Sequence, residues 1–283
     1  MGYSAADVRE ILQDTWAYMQ CNNNNDGSES DFFGLNSYSW CGGDATFQSA
    51  GYDTLVGMFQ DSSVPVFFSE YGCNEVMPRV FDEVEALYGA KMTSLSGGLV
   101  YEYSQEESNY GLAIINDNGT VSLRSDFDSL QKQFNKLDMS KIQATSPSQT
   151  SVKAPKCDKK LITNEKFDTN FTLPAVCPGC STIIKNGIDN PTQGKLIKVT
   201  ETKAPKTVYG SSGAEIKGLE LKLLSNDGVN GPSGETTSPQ ASTTAAPQAG
   251  SAQESTPPKG DASKLTGGWL FFASALVAIL TVL

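Results

Sequence analysis

Along residues 1–140 the apolar positions recur with two alternating periods, and these periods predict a series of short helices and strands. From Ala5 to Tyr18, apolar Val8, Ile11, Leu12 and Ala17 are interleaved with Asp7, Arg9, Glu10 and Asp14, the spacing of an amphipathic helix. Phe32 to Trp40 reads as a short apolar-aromatic strand and Thr46 to Phe59 as a helix. Val64-Pro65-Val66-Phe67-Phe68-Ser69 is a buried strand, with Pro65 at its start, where a missing ladder N–H is tolerated. Arg79 to Tyr88, RVFDEVEALY, sets Val80, Val84 and Leu87 on one stripe of a helix; Leu99 to Tyr103 follows Gly97-Gly98 as a third strand, and Phe127 to Leu137 is a closing helix. Strands alternating with helices predict an α/β fold with parallel βα units. Three such strands fit a small doubly wound sheet or part of a barrel, and periodicity does not choose between them.

Beyond residue 140 the composition changes. Residues 141–156 are rich in Ser, Thr, Lys and Pro and read as a linker; with the run to 227, which carries strand-like stretches at Lys195–Val199 and Leu219–Leu224, they form a small appended region. Residues 228–264 are Ser, Thr, Pro, Ala, Gln and Gly, a composition that buries no core, and read as a disordered, O-glycosylated stalk. The last stretch, 265–283, contains the uncharged run WLFFASALVAILTVL, shorter than the roughly 20 residues of a bilayer span and with no basic tail behind it. Small Gly260, Ala262 and Ser263, a polar spacer and that terminal run together form a glycosylphosphatidylinositol (GPI) attachment signal, with Gly260 as the attachment site. A plain tail-anchored helix is the alternative. At the other end Met1 to Asp7 has neither a basic nor an apolar leader segment, so the expectation for an anchored, exported protein is that an N-terminal part is missing.

A net charge of −11 disfavours nucleic acid, which needs clustered Lys and Arg. There is no histidine, which excludes Ser/His/Asp and Cys/His nucleophile systems and every His-bearing metal site. Acid–base chemistry must then fall to Asp, Glu, Tyr, Lys or Cys. Six cysteines remain; Cys177-Pro178-Gly179-Cys180 has the spacing of a redox motif or half a zinc site, but there is no second CxxC and no βαβ pattern around it. Disulfides in an oxidising compartment are the expectation, with no metal and no cofactor. Asn118-Gly119-Thr120 and Asn170-Phe171-Thr172 are N-glycosylation sequons.

The sharpest local feature is Phe67-Phe68-Ser69-Glu70-Tyr71-Gly72-Cys73-Asn74, a carboxylate at the end of a very apolar strand, followed by a glycine that can turn the chain. In a parallel barrel the C-terminal strand ends converge on the active site, so Glu70 is a candidate nucleophile. A glutamate merely leaving the strand into solvent is the plain alternative. Neighbouring strand ends carry Asn36-Ser37-Tyr38-Ser39-Trp40 and Tyr101-Glu102-Tyr103, with Tyr110 in the next loop; aromatics there line a cleft, as sugar sites require, or simply pack a core.

Residues 31–74, ending in FFSEYGCN, and the following EVMPRVFDEVEALYGAKMT resemble glycoside hydrolase family 72, the fungal GPI-anchored β-1,3-glucanosyltransferases of the Gas, Gel and Phr groups. The resemblance covers roughly residues 2–140. It implies that residues 1–140 form the C-terminal part of a (β/α)8 TIM barrel, roughly its sixth to eighth strands, ahead of the appended region and stalk. It implies that Glu70 is the nucleophile at the end of the seventh strand and that Tyr38, Tyr101 and Tyr110 line the donor and acceptor subsites. It pairs Cys41 with Cys73 and Cys21 with Cys157, which leaves Cys177 with Cys180. The family's acid/base glutamate sits in an Asn-Glu pair at the end of the fourth strand, a strand absent here. Asn74-Glu75 has those letters but lies beyond the same strand end as Glu70, and Asn164-Glu165 lies past the barrel. The Trp usual before the eighth strand is missing, and no cysteine-rich glucan-binding module follows.

The activity so implied is cleavage and re-joining of β-1,3-glucan chains by a retaining double displacement, at the cell surface, by a monomer whose partners are glucan donor, glucan acceptor and a GPI lipid. On this reading the chain alone is inactive, because the acid/base partner is missing. The rival is a non-catalytic anchored cell-wall or glucan-binding protein derived from a truncated barrel; an upstream reading frame carrying a leader and the first strands separates the two.

Overall fold

The computed structural model describes residues 1–23, 29–138, 152–172, 176–188, 190, 194, 200–221, 229–230 and 236–237. The chain is α/β. β1 (Tyr3–Ala6), α1 (Arg9–Gln20), β2 (Phe33–Asn36), α2 (Tyr52–Phe59), β3 (Val66–Tyr71), α3 (Glu83–Leu87) and β4 (Gly98–Val100) alternate, and the four strands form one parallel sheet in chain order. Phe33, Leu35, Val66, Phe68 and Tyr71 are buried on this sheet, as are Leu12 and Trp16 of α1, Leu55 and Phe59 of α2, and Val84 and Leu87 of α3.

Several local expectations change; the third strand, expected over Leu99–Tyr103, is confined to Gly98–Val100. Residues 3–6 are a strand, not the start of a helix; the run is short and holds two alanines, and pairing with β2 (Tyr3 with Phe33 through Ala6 with Asn36) overrides its weak local preference. The helix expected from Thr46 begins at Tyr52, because Gly51 sits in the left-handed region (φ 68°) and ends the preceding turns. The helix expected over Arg79–Tyr88 is confined to Glu83–Leu87. Phe81 has φ 55°, a left-handed conformation that no helix can run through; Arg79 is drawn into the interior, and Val80 is left 38 % exposed.

After β4 the chain makes a hairpin, β5 (Ala113–Ile115) with β6 (Val121–Leu123), and then α4 (Ser125–Phe134). The hairpin turn is closed by Gly119 N–H donating to Asn116 O, and Gly119 itself has φ 77°. β7 (Val208–Tyr209) pairs parallel to β6, and β8 (Glu215–Ile216) pairs antiparallel to β7, giving a second four-stranded sheet. Residues 152–172 are held along α1. The disulfide Cys21–Cys157 joins them, and buried Asp14 accepts from Thr163 N, Thr163 Oγ1 and Asn164 N. The Tyr18 hydroxyl donates to Asn170 O at 2.7 Å, with the Tyr18 ring stacked on Phe171. α5 (Cys180–Asn186) starts at the second sulfur of the disulfide Cys177–Cys180, and β9 (Val229–Asn230) pairs with β10 (Thr236–Thr237).

Lys195–Val199, Gly260 and the terminal apolar run lie outside the described residues; among those described, no helix is long and apolar enough to cross a membrane. Of Leu219–Leu224, the described part contributes a single bridge, Glu220 to Lys203.

Candidate active site

Strict alternation along β3 would bury residues 66, 68 and 70 on one face. The register breaks that rule. Leu35 pairs with Phe68 but Asn36 pairs with Glu70, so Ser69 is an extra residue, and Tyr71 returns to the core. Such a bulge re-aims side chains at a strand end. Here it lifts Glu70 off the helix-covered face and leaves it half-buried at the C-terminal edge of the sheet. Asn36, the ladder partner of Glu70, belongs to a polar row with Ser4 and Ser69: Ser69 Oγ donates to Asn36 Oδ1 at 2.6 Å, and Ser4 Oγ to the same oxygen at 3.2 Å.

Beyond the strands, loops supply the partners. The Tyr38 hydroxyl donates to Glu70 Oε2 at 2.6 Å, and Ser37 N–H donates to Glu70 O at 2.9 Å. Burial, then the bond to Glu70, pushes the Tyr38 phenol well above its ordinary pKa. The proton therefore stays on Tyr38, which donates while the carboxylate accepts. The Tyr110 ring stands edge-on to Tyr38 at 5.5 Å and to Tyr101 at 5.4 Å, so the three phenols form one continuous group beside Glu70. The Tyr101 phenol is also raised, mainly by the charge of neighbouring Glu102.

Two crosslinks hold these loops. Cys41–Cys73 joins the segment just after Tyr38 to the segment just after Glu70. Arg79, 2 % exposed, donates Nε–H to Asp126 Oδ2 at 2.8 Å and Nη1–H to Tyr101 O at 2.8 Å and Gly72 O at 3.2 Å; its Nη2–H donates to Tyr110 O. Periodicity reads Arg79 as the first residue of a surface helix and so misses it; only the tertiary pairing with Asp126 brings it inside.

Glu75 lies beside the Cys41–Cys73 disulfide, its carboxylate within 4.8 Å of the sulfurs. Bonded to each other, those sulfurs offer no thiolate to a metal. Asn74 Nδ2 donates to Ser108 O. Asn118 Oδ1 accepts from Thr120 N and Thr120 Oγ1 in the hairpin turn, and Asn170 Oδ1 accepts from Thr172 N. A shallow cavity of about 590 Å³, lined by Asn23, Lys159 and residues 168–172, includes no residue of the Glu70 group.

A parallel α/β sheet with a bulge-presented carboxylate, a phenol bonded to it and further phenols beside it defines the class of this chain. Comparison with known proteins narrows it. Residues 1–138 match the family model described as glucanosyltransferase. The chain is 53 % identical over 233 residues to the 1,3-beta-glucanosyltransferase gel2 of Aspergillus fumigatus, covering 82 % of this chain and 49 % of that one. It is 41 % identical over 219 residues to the probable 1,3-beta-glucanosyltransferase GAS3 of Saccharomyces cerevisiae, covering 73 % and 41 %. A crystal structure of Saccharomyces cerevisiae Gas2 with a bound compound superposes with a TM-score of 0.51 at 36 % identity, over 64 % of this chain and 40 % of that one. Over residues 1–138 the chain is thus similar to the glucanosyltransferase family. The chain spans half or less of the length of these relatives.

Proposed function

We propose that the chain carries the nucleophile half of a retaining β-1,3-glucanosyltransferase site and that Glu70 is that nucleophile. The observation that carries this reading is the Tyr38 hydroxyl bond to Glu70 Oε2 at 2.6 Å, at a strand end where a bulge frees the carboxylate from the core. The bond fixes one carboxylate oxygen and leaves Oε1 for attack. In the first displacement Oε1 bonds to the anomeric carbon and the glycosidic oxygen leaves with a proton from a second carboxyl group. In the second, the same group removes the proton from an acceptor hydroxyl of another glucan chain, which displaces Glu70. Tyr38, Tyr101 and Tyr110 serve as the stacking and hydrogen-bonding lining for donor and acceptor sugars, which raises the acceptor's effective concentration over that of water. The acid/base role is assigned to no residue of this chain.

The wider architecture belongs to the same proposal. Residues 1–140 are the later part of a (β/α)8 barrel, 141–227 an appended disulfide-bearing region, 228–264 a glycosylated stalk and 265–283 a signal exchanged for a lipid anchor at Gly260. Asn118 and Asn170 are glycosylated, and the protein acts at the cell surface as a monomer. What supports this is the identity to relatives named as 1,3-beta-glucanosyltransferases over most of the chain, together with the sequons and the tail composition.

The test uses a 2-deoxy-2-fluoro-laminaribiosyl fluoride. Fluoride departs without protonation, so the reagent reports the nucleophile whether or not an acid/base partner is present. The expected result is a single covalent adduct mapped by peptide mass spectrometry to Glu70, and none on Glu70→Gln. An adduct elsewhere, or none in a folded protein, refutes the assignment.

A further inference from the structure

Glu70 stands near the end of β3 and the three phenols lie on the loops that follow β2 and β4, and strands of three to six residues do not extend far enough to hold those loops in register. We infer that the buried Arg79–Asp126 pair is the positioning element of the site: one guanidinium clamps the backbones that carry Glu70, Tyr101 and Tyr110. The inference rests on the glucan-transfer reading for its substrate and on geometry for its mechanism.

Arg79 spends its donors on the site's own backbone. Its Nη1–H groups bond Gly72 O, two residues past Glu70, and Tyr101 O; Nη2–H bonds Tyr110 O. Its Nε–H and its backbone N–H both go to the Asp126 carboxylate of α4. The charge is thus matched in the interior, where Arg79 and Asp126 are 2 % and 1 % exposed. The guanidinium carbon also lies 4.7 Å from the Phe81 ring centroid and 5.8 Å from that of Tyr110. The surroundings are shaped to admit this group. A Cβ on Gly72 would come within 3.3 Å of Nη1 and 3.5 Å of Tyr101 O, and Gly72 has φ 110°. Phe81 takes its left-handed conformation in the same turn. A second arginine grips the far side of the Tyr110 loop: Arg124 Nη1–H bonds Gly111 O, and its Nη2–H bonds Asn109 Oδ1 at 2.9 Å.

A planar fork with five N–H donors can serve three carbonyls and a carboxylate together; an ammonium with three donors on a flexible stem cannot. Arg79→Lys therefore keeps the charge opposite Asp126 and loses the clamp. Removing only one partner would strand the other as an unpaired buried charge, so the companion variant is the double replacement Arg79→Met/Asp126→Leu, which takes out both charges at similar volume.

The experiment measures labelling of the whole chain by the glycosyl fluoride, with the inactivation rate and the half-saturating concentration fitted separately and the folded fraction taken from thermal melts. In Arg79→Lys and in the double variant we expect the half-saturating concentration to rise about tenfold or more, as the Tyr101 and Tyr110 loops drift, and the limiting rate to fall, as the segment beyond Glu70 loosens. A merely structural pair would lower the melting point and leave both constants of the folded fraction at native values, and that result overturns the inference. Absence of labelling in the native chain is a different outcome: it removes the glucan-transfer reading, and the inference with it.

Discussion

Glu83 opens α3 with its side chain 4 % exposed, and no charge partner offsets its burial in full. Desolvation raises its carboxyl from 4.5 to about 7, opposed in part by its own backbone N–H and by Arg79, and reinforced by Asp82. Each tenfold change in proton affinity is worth ~1.4 kcal/mol, so that interval corresponds to about 3 kcal/mol of lost stability. Below pH 4.5 the folded and unfolded chains both carry Glu83 protonated, and its burial costs little. Between 4.5 and about 7 the unfolded chain ionises while the folded one keeps its proton, so stability falls as pH rises. Above about 7 the folded chain ionises too, and the whole loss is in place. Glu83→Gln imitates the protonated form at every pH. Its stability relative to the native chain should therefore be flat below pH 4.5 and climb by about 3 kcal/mol by pH 8, or roughly 6–12 °C in melting temperature. Urea or thermal unfolding of both proteins from pH 4 to pH 8 measures this difference, and the subtraction removes the contribution of every other titrating group. A difference that stays constant with pH refutes the argument and would mean that the folded chain holds Glu83 ionised without penalty.

Tyr38→Phe keeps the ring contact with Tyr110 and removes the bond to Glu70. A hydrogen bond to a charged group is worth about 1.5–3 kcal/mol, so labelling at Glu70 should slow by about tenfold or more, with melting little changed; a native labelling rate would show that Tyr38 packs without positioning. Stepwise reduction should open Cys177–Cys180 before the other two disulfides, because it closes the shortest loop and sits on an exposed segment, whereas Cys21 is 3 % and Cys73 8 % exposed; alkylation at each reductant concentration followed by mass spectrometry gives the order, and prior opening of Cys21–Cys157 would contradict it.

The sequence made the central elements legible where tertiary structure agrees with local pattern. The apolar runs of β2 and β3 survive in the fold, and α1 and α4 form near where helices are expected, although Val8 and Ile11 of the α1 stripe are exposed and Asp14, between them and Ala17, is buried; a carboxylate at the end of so apolar a strand marked Glu70. Other elements were hidden for identifiable reasons. β1 is four residues of modest propensity that become a strand only by pairing with β2. The β5–β6 hairpin carries a signal, Asn118-Gly119 between two apolar runs, but those residues also spell a glycosylation sequon, which masks the turn. β7 pairs with β6 across a sequence gap of more than eighty residues, which no local window spans.

The bulge in β3 shows why finding a residue differs from finding its orientation. Alternation alone assigns Glu70 to the same face as Val66 and Phe68, which would bury an unpaired carboxylate among helices. Such burial is costly enough that the strand must yield or the residue must change. The extra residue Ser69 resolves the conflict within the strand: Ser69 itself joins Ser4 and Asn36, Glu70 is left half-buried with Tyr38 bonded to it, and Tyr71 returns to the core. From that point the ladder no longer fixes the geometry. What holds Tyr38, Tyr101 and Tyr110 against Glu70 is a disulfide, a guanidinium and their carbonyl partners, all joining residues far apart in sequence. A periodic pattern encodes which face a strand buries, because each residue reports on neighbours two positions away. It carries no trace of a crosslink between loops, so the carboxylate at the strand end can be read from the chain while the crosslinks that surround it cannot.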